Sequence, residues 1–145
     1  MTLSGDISTF LEALGSPADH PEALGRAIGL VGPGLEIEAF GRPEVADEHW
    51  HFRRTGSGFL LRGGEIVAIV LPIARAAGPS YDGVDTLIDG VDLAGDRASL
   101  VTAIGEPTRS SQRMDLWRLD GRYLRLDFAD DRLSDVATAL GGVEL

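Results

Sequence analysis

The sequence predicts an α+β protein: two helix-plus-three-stranded-antiparallel-meander units in tandem, free to share one sheet. Three observations carry this. A capped, apolar-periodic segment recurs ninety positions along the chain, an Asp-Gly pair separates two alternating runs, and a Gly-Gly pair separates two more. At 145 residues with 43% hydrophobic and 25% charged composition, the chain can bury a core without disulfides or a structural metal. The expected organisation is a single compact domain over 1–145. Its units span 5–73 and 95–140, joined by an irregular connection over 74–94.

The recurrence aligns Gly5 to Pro17 with Gly95 to Pro107 without a gap. Gly, Asp, Ala, Gly and Pro repeat identically, and Phe10, Leu11 and Leu14 are answered by Leu100, Val101 and Ile104. That i, i+1, i+4 spacing predicts a helix in each copy. Asp6 and Asp96 are the expected N-caps, Gly15 and Gly105 the expected left-handed exits, and Pro17 and Pro107 stop the helix. Between the first helix and its meander lies a longer insert, Ala18 to Glu48. Pro21 and the stripe Ala23, Leu24 and Ile28 predict a short helix there, ending by Gly29 to Gly34.

The first meander is expected over His49 to Arg54, Phe59 to Arg62 and Glu65 to Ile73, turning at 55–58 and at Gly63-Gly64. Strict alternation puts Trp50, Phe52, Phe59, Leu61, Ile66, Ala68 and Val70 on the core face. The other face receives His51, Arg53, Leu60, Arg62, Val67, Ile69 and Leu71. On that reading Val67, Ile69 and Leu71 form an outward apolar strip, either covered or available for a homodimer. The second meander is expected over Leu116 to Leu119, Arg122 to Phe128 and Leu133 to Thr138, with Asp120-Gly121 as a two-residue turn. Trp117, Leu119, Leu124, Leu126 and Phe128 then face the core, and Leu116, Arg118, Tyr123, Arg125 and Asp127 face away.

Composition excludes some functions. Net charge is −10 and every one of the thirteen basic residues is Arg, so a nucleic-acid surface is not expected and a basic protein partner is. With no cysteine there is no disulfide, thiolate metal site or thiol nucleophile. No stretch approaches the ~20 apolar residues of a membrane span, and no leader pattern opens the chain. The expected location is the cytoplasm, away from membranes.

No motif supplies catalysis or a cofactor. Gly29, Gly32 and Gly34 lack a preceding strand, and Pro33 removes a donor from any phosphate cradle. His49 and His51 share a strand face and could join His20, Asp47 or Glu48 around a metal, but no patterned ligand set completes them, so no metal is expected. Asp82, Asp85, Asp89, Asp92 and Asp96 lack calcium-loop spacing. The chain is therefore expected to be no enzyme, with neither cofactor nor catalytic residue.

A capped helix closing on apolar-Gly-x-Pro and leading into a three-stranded meander resembles the β-lactamase inhibitory protein family. The single unit is similar to the SmpA/OmlA outer-membrane lipoprotein domain. The residues that carry this are Gly95 to Pro107 with Leu116 to Thr138, and Gly5 to Pro17 with His49 to Leu71. The acidic balance is also similar to that of bacterial immunity proteins. The resemblance implies a non-enzymatic protein-binding module, an immunity protein or inhibitor of a toxin or enzyme, that grips its partner with a sheet face. The residues expected there are His51, Arg53, Leu60, Arg62, Arg118, Tyr123 and Arg125, since Tyr and Arg are favoured at hot spots. The alternative is a small-ligand binder or undetected enzyme with a pocket between the units, lined by Trp50 and Trp117 unless these are core anchors.

Overall fold

The computed structural model describes residues 3–16, 21–40, 47–73 and 78–142. Element order is α1 (Asp6–Ala13), α2 (Pro21–Val31), β1 (Leu35–Phe40), β2 (Asp47–Phe52), β3 (Ser57–Arg62), β4 (Glu65–Pro72), α3 (Val84–Leu87), α4 (Arg97–Ile104), β5 (Arg109–Ser110), β6 (Met114–Leu119), β7 (Arg122–Ala129) and β8 (Arg132–Leu140). The strands form one eight-stranded antiparallel sheet in the order β1-β2-β3-β4-β8-β7-β6-β5.

This corrects the expected architecture of two helix-plus-three-stranded-meander units. Each half supplies four strands, because β1 and β5 precede the predicted runs. The last strands of the halves then pair with each other, Ala68 with Ala139 and Leu71 with Val136. A meander ends on an open edge of unpaired N–H and C=O groups, and joining β4 to β8 satisfies both edges at once.

The helices bury their apolar positions against one side of this sheet. Ile7, Phe10 and Ala13 of α1, Leu24, Ala27 and Val31 of α2, and Leu100 and Ile104 of α4 join the inward strand residues in a continuous core. Full burial of a side chain such as Phe10 makes its loss to Ala worth about 3–5 kcal/mol. The exit of α1 is tied to the sheet, since Gly15 N–H donates to the Ile66 carbonyl at 2.7 Å and Ile66 N–H donates back to Ser16 at 3.1 Å. Gly15 has φ of 83°, as a helix exit needs. Pro17 lies outside the described residues.

The caps differ between the copies. Asp96 accepts from Ser99 N–H at 2.9 Å as expected, whereas Gly5 is the N-cap of α1 and makes no side-chain cap bond. Asp6 is instead the first helical residue and accepts from the Thr86 hydroxyl at 2.6 Å, tying α1 to α3. At the end of α2, Arg54 donates to the Gly32 and Leu30 carbonyls and pairs with Asp82 at 2.6 Å, so one guanidinium closes the helix C-terminus. Tyr81, 2% exposed, packs edge-on against Phe10 with ring centroids 5.9 Å apart. Burial, followed by the charges of Asp6 and Asp82, pushes its phenol up to about 12.

A bulge decides which residues face outward. Leu60 pairs with Ala68 but Leu61 pairs with Ile66, leaving Val67 as the extra residue. Alternation carried unbroken through that point inverts every side chain beyond it. Ile69 and Leu71 therefore face the helices at 0% and 1% exposure, and Val67 is 7% exposed. The outward apolar strip does not exist, and with it goes the surface for a homodimer through Val67, Ile69 and Leu71. Ala68 and Val70 take the outward places. A second bulge in β7–β8, at Asp127/Phe128, similarly keeps both Phe128 and Leu133 in the core.

Candidate functional site

The face away from the helices is built by pairing register. His49 lies opposite Leu60, and His51 opposite Gly58. Leu60 neighbours Ala68 and Gly58 neighbours Val70. Ala68 and Val70 then meet Ala139 and Ala137 of β8, which meet Tyr123 and Arg125 of β7, which meet Arg118 and Leu116 of β6. The two central strands thus place small residues in the middle of the face while their neighbours carry large ones.

The result is a trough. Ala68, Ala137 and Ala139 are at most 1% exposed, yet they lie outside the continuous helix-side core. Interstrand spacing separates β3 from β7 by ~14 Å, and β2 from β6 by ~24 Å, a span suited to a protein patch rather than a small molecule.

On one wall, Arg118 donates to the Tyr123 hydroxyl at 3.1 Å, with its guanidinium 5.5 Å from the ring centroid. That bond lowers the Tyr123 phenol from its ordinary value and raises Arg118. Arg125 donates to Asp127 at 3.0 Å. On the other wall, the His49 and His51 rings lie 6.1 Å apart. His49 leans over Gly58 so closely that a Cβ added there would fall 2.6 Å from Nε2. Glycine at 58 is what gives the imidazole room. Arg62 pairs with Asp47 at 3.4 Å, and Arg53 with Glu36 at 3.2 Å.

Of the seven residues expected on this face, His51, Leu60, Arg62, Arg118, Tyr123 and Arg125 share it in the strand register. Arg53 sits in the following turn and reaches the same side through Glu36. They do not form one cluster, because β4 and β8 divide them into two walls. Sequence reasoning missed the alanine floor, which the Val67 bulge hid, and the strand Leu35–Phe40. The Leu-Glu-Ile-Glu-Ala-Phe alternation after Gly34 was the available signal for that strand.

The pocket expected between two units is not lined by tryptophan. Trp50 and Trp117 both belong to the core, and Trp117 donates to the Gly105 carbonyl at 2.9 Å. Among the described residues, no group of three or more His, Asp or Glu is arranged to hold a metal ion, and no helix is long and apolar enough to cross a membrane. His20, weighed as a third ligand, lies outside the described residues.

The β5 end carries a different polar cluster. Arg97 grips Asp115 with two bonds of 2.8 Å, and Ser110 donates to the same carboxylate at 2.6 Å. Its remaining donors reach the Gln112, Ser111 and Met114 carbonyls at 2.8, 2.6 and 3.0 Å. The Arg97 Cζ lies over the Phe128 ring, 4.9 Å from its centroid. The Arg97 bonds hold the Asp115 carboxyl below its ordinary value. Every side-chain donor group of Arg97 is engaged within the fold, so this cluster fastens structure.

No protein-family model matches the chain, and no curated protein matches it in sequence. One solved structure is similar, that of a "putative beta-lactamase inhibitor protein" from Streptococcus mutans. It is 13% identical, with a TM-score of 0.32, over 93% of this chain and 98% of that one. Likeness at that level carries no argument about function.

Proposed function

We propose that the chain is a non-enzymatic protein-binding module that grips a partner across the outward face of its sheet, as an inhibitor or immunity protein of a toxin or enzyme would. One observation supports the reading most: a broad face, free of described helices, in which a buried alanine floor runs between walls of Tyr, Arg, His and Leu. Tyr123 and Arg118 are the residue types that dominate binding energy at protein interfaces, and here each fixes the other's position. The net charge of −10 favours a basic partner through faster encounter.

Affinity recovery of the tagged chain from its native lysate, read by mass spectrometry beside an Arg118→Ala/Tyr123→Ala/Arg125→Ala variant, tests this. A single stoichiometric partner, lost in the variant, is the expected outcome. A partner retained equally by both would remove the outward face from consideration, and recovery of the chain alone would remove a tight-binding role under those conditions.

A further inference from the structure

We infer that the outer edge of β1 is a second binding site, which takes an extended segment of a partner protein as a ninth strand, one that alternates basic and apolar residues. The proposal does not rest on the outward-face reading, because it uses other residues and the backbone itself.

Hydrogen-bond direction fixes which groups of β1 point away from the sheet. Arg53 N–H donates to Gly34 at 2.9 Å, so the backbone of Arg53, and by alternation of His51 and His49, points toward β1. Their register partners Glu36 and Glu38 are therefore the β1 residues bonded to β2. Leu35, Ile37 and Ala39 turn their N–H and C=O groups to the opposite side. β1 is the terminal strand of the sheet, so among the described residues those groups have no strand partner.

The same residues are exposed. Among the described residues, Leu35 and Ile37, at 41% and 54%, are the exposed large apolar side chains, and they lie on the helix side of the sheet beyond the core. Glu36 and Glu38 project from the other side, also exposed. A partner strand laid along this edge would place apolar residues beside Leu35 and Ile37, and its alternate residues beside the two carboxylates. Opposite charges across a strand pair stabilise it and like charges oppose it. Arg53 is the internal partner of Glu36, but that exposed pair is weak and competes poorly with a partner presenting several cations.

The charge pattern also argues against a second copy of this chain. Antiparallel self-pairing centred on Ile37 would set Glu36 opposite Glu38 of the other copy, twice over, between two chains of net charge −10. A basic strand meets no such penalty. Main-chain bonds would supply affinity and the alternating side chains would supply selectivity.

The probe is a fluorescent peptide of alternating Lys and Val, compared at physiological salt with an alternating Glu and Val peptide. A third peptide is the Lys-Val sequence N-methylated along one backbone edge, which keeps charge but blocks strand pairing. Binding of the Lys-Val peptide about tenfold tighter than either control is expected, the scale of two or three lost strand bonds. Protection of the Leu35, Ile37 and Ala39 amides from hydrogen exchange should accompany it. Ile37→Pro removes an outward donor at an edge position that tolerates proline, and should abolish the preference with the far-UV circular dichroism spectrum unchanged. Should that variant fail to fold, Glu36→Lys/Glu38→Lys serves instead and should invert the preference toward the Glu-Val peptide. Equal binding of the N-methylated peptide would overturn the proposal in favour of bare charge attraction. A concentration-dependent dimer lost in Ile37→Pro would overturn it in favour of self-pairing.

Discussion

The two ends of the sheet handle the same chemical problem in opposite ways. At the β5 end the edge strand is two residues long, and Arg97 occupies the carbonyls of Ser111, Gln112 and Met114 beside it. At the β1 end the edge strand is six residues long and carries two exposed aliphatic side chains. An edge that is short and already bonded cannot template another strand, whereas a long one can. Among the described residues, one edge is blunted by an ion pair with a buried carboxylate and the other has no such closure.

Breaking the closed end should have the largest effect. Arg97→Ala leaves the carboxylate of Asp115, 1% exposed, without a cation and with Ser110 still donating to it, and should cost about 3 kcal/mol in urea unfolding at pH 7. The pH dependence has a definite sign. Because Arg97 holds the Asp115 carboxyl below its ordinary value, its contribution is present above ~4 and lost as pH falls through the folded value. The stability gap between wild type and Arg97→Met should therefore narrow between neutral pH and pH ~3.

Tyr81 gives the comparison a base limb, since it lies among the α1, Arg54 and Asp82 contacts that brace the β1 end. Its phenol is raised to about 12, so its contribution is full below the unfolded value of ~10 and lost as pH rises from there through 12. A loss of about 2–3 kcal/mol over that interval should vanish in Tyr81→Phe.

At the centre, Thr138 faces the core opposite Ile69 with its hydroxyl unpaired. Thr138→Val keeps the shape and removes the orphan, and should stabilise by about 1 kcal/mol in thermal unfolding. The smallest effect belongs to the open edge: Leu35→Thr and Ile37→Thr, at exposed positions, should each change stability by less than about 0.5 kcal/mol in urea unfolding.

Much of the local structure was legible because its signals lie in adjacent residues. Asp120-Gly121 marks a hairpin whose pairing, Leu119 with Arg122 and Trp117 with Leu124, follows from the turn alone. The joining of β4 to β8 had no such signal, being set by edge satisfaction between segments far apart in the chain. Val67 shows a second limit. A bulge is one extra residue in an otherwise regular apolar run, so period-two reasoning passed through it and exchanged Ala68 and Val70 for Ile69 and Leu71. In the candidate site the large residues were readable from parity. The alanine floor was not, because alanines signal nothing until their neighbours are placed.

The most direct test of the central claim is calorimetric titration of the recovered partner into wild type and the Arg118→Ala/Tyr123→Ala/Arg125→Ala variant, with unfolding of both proteins measured alongside. The account predicts a loss of at least about thirtyfold in affinity, the scale of a hot spot of 2 kcal/mol or more, at unchanged stability. Affinity within twofold of wild type, in a variant that is folded, would contradict it.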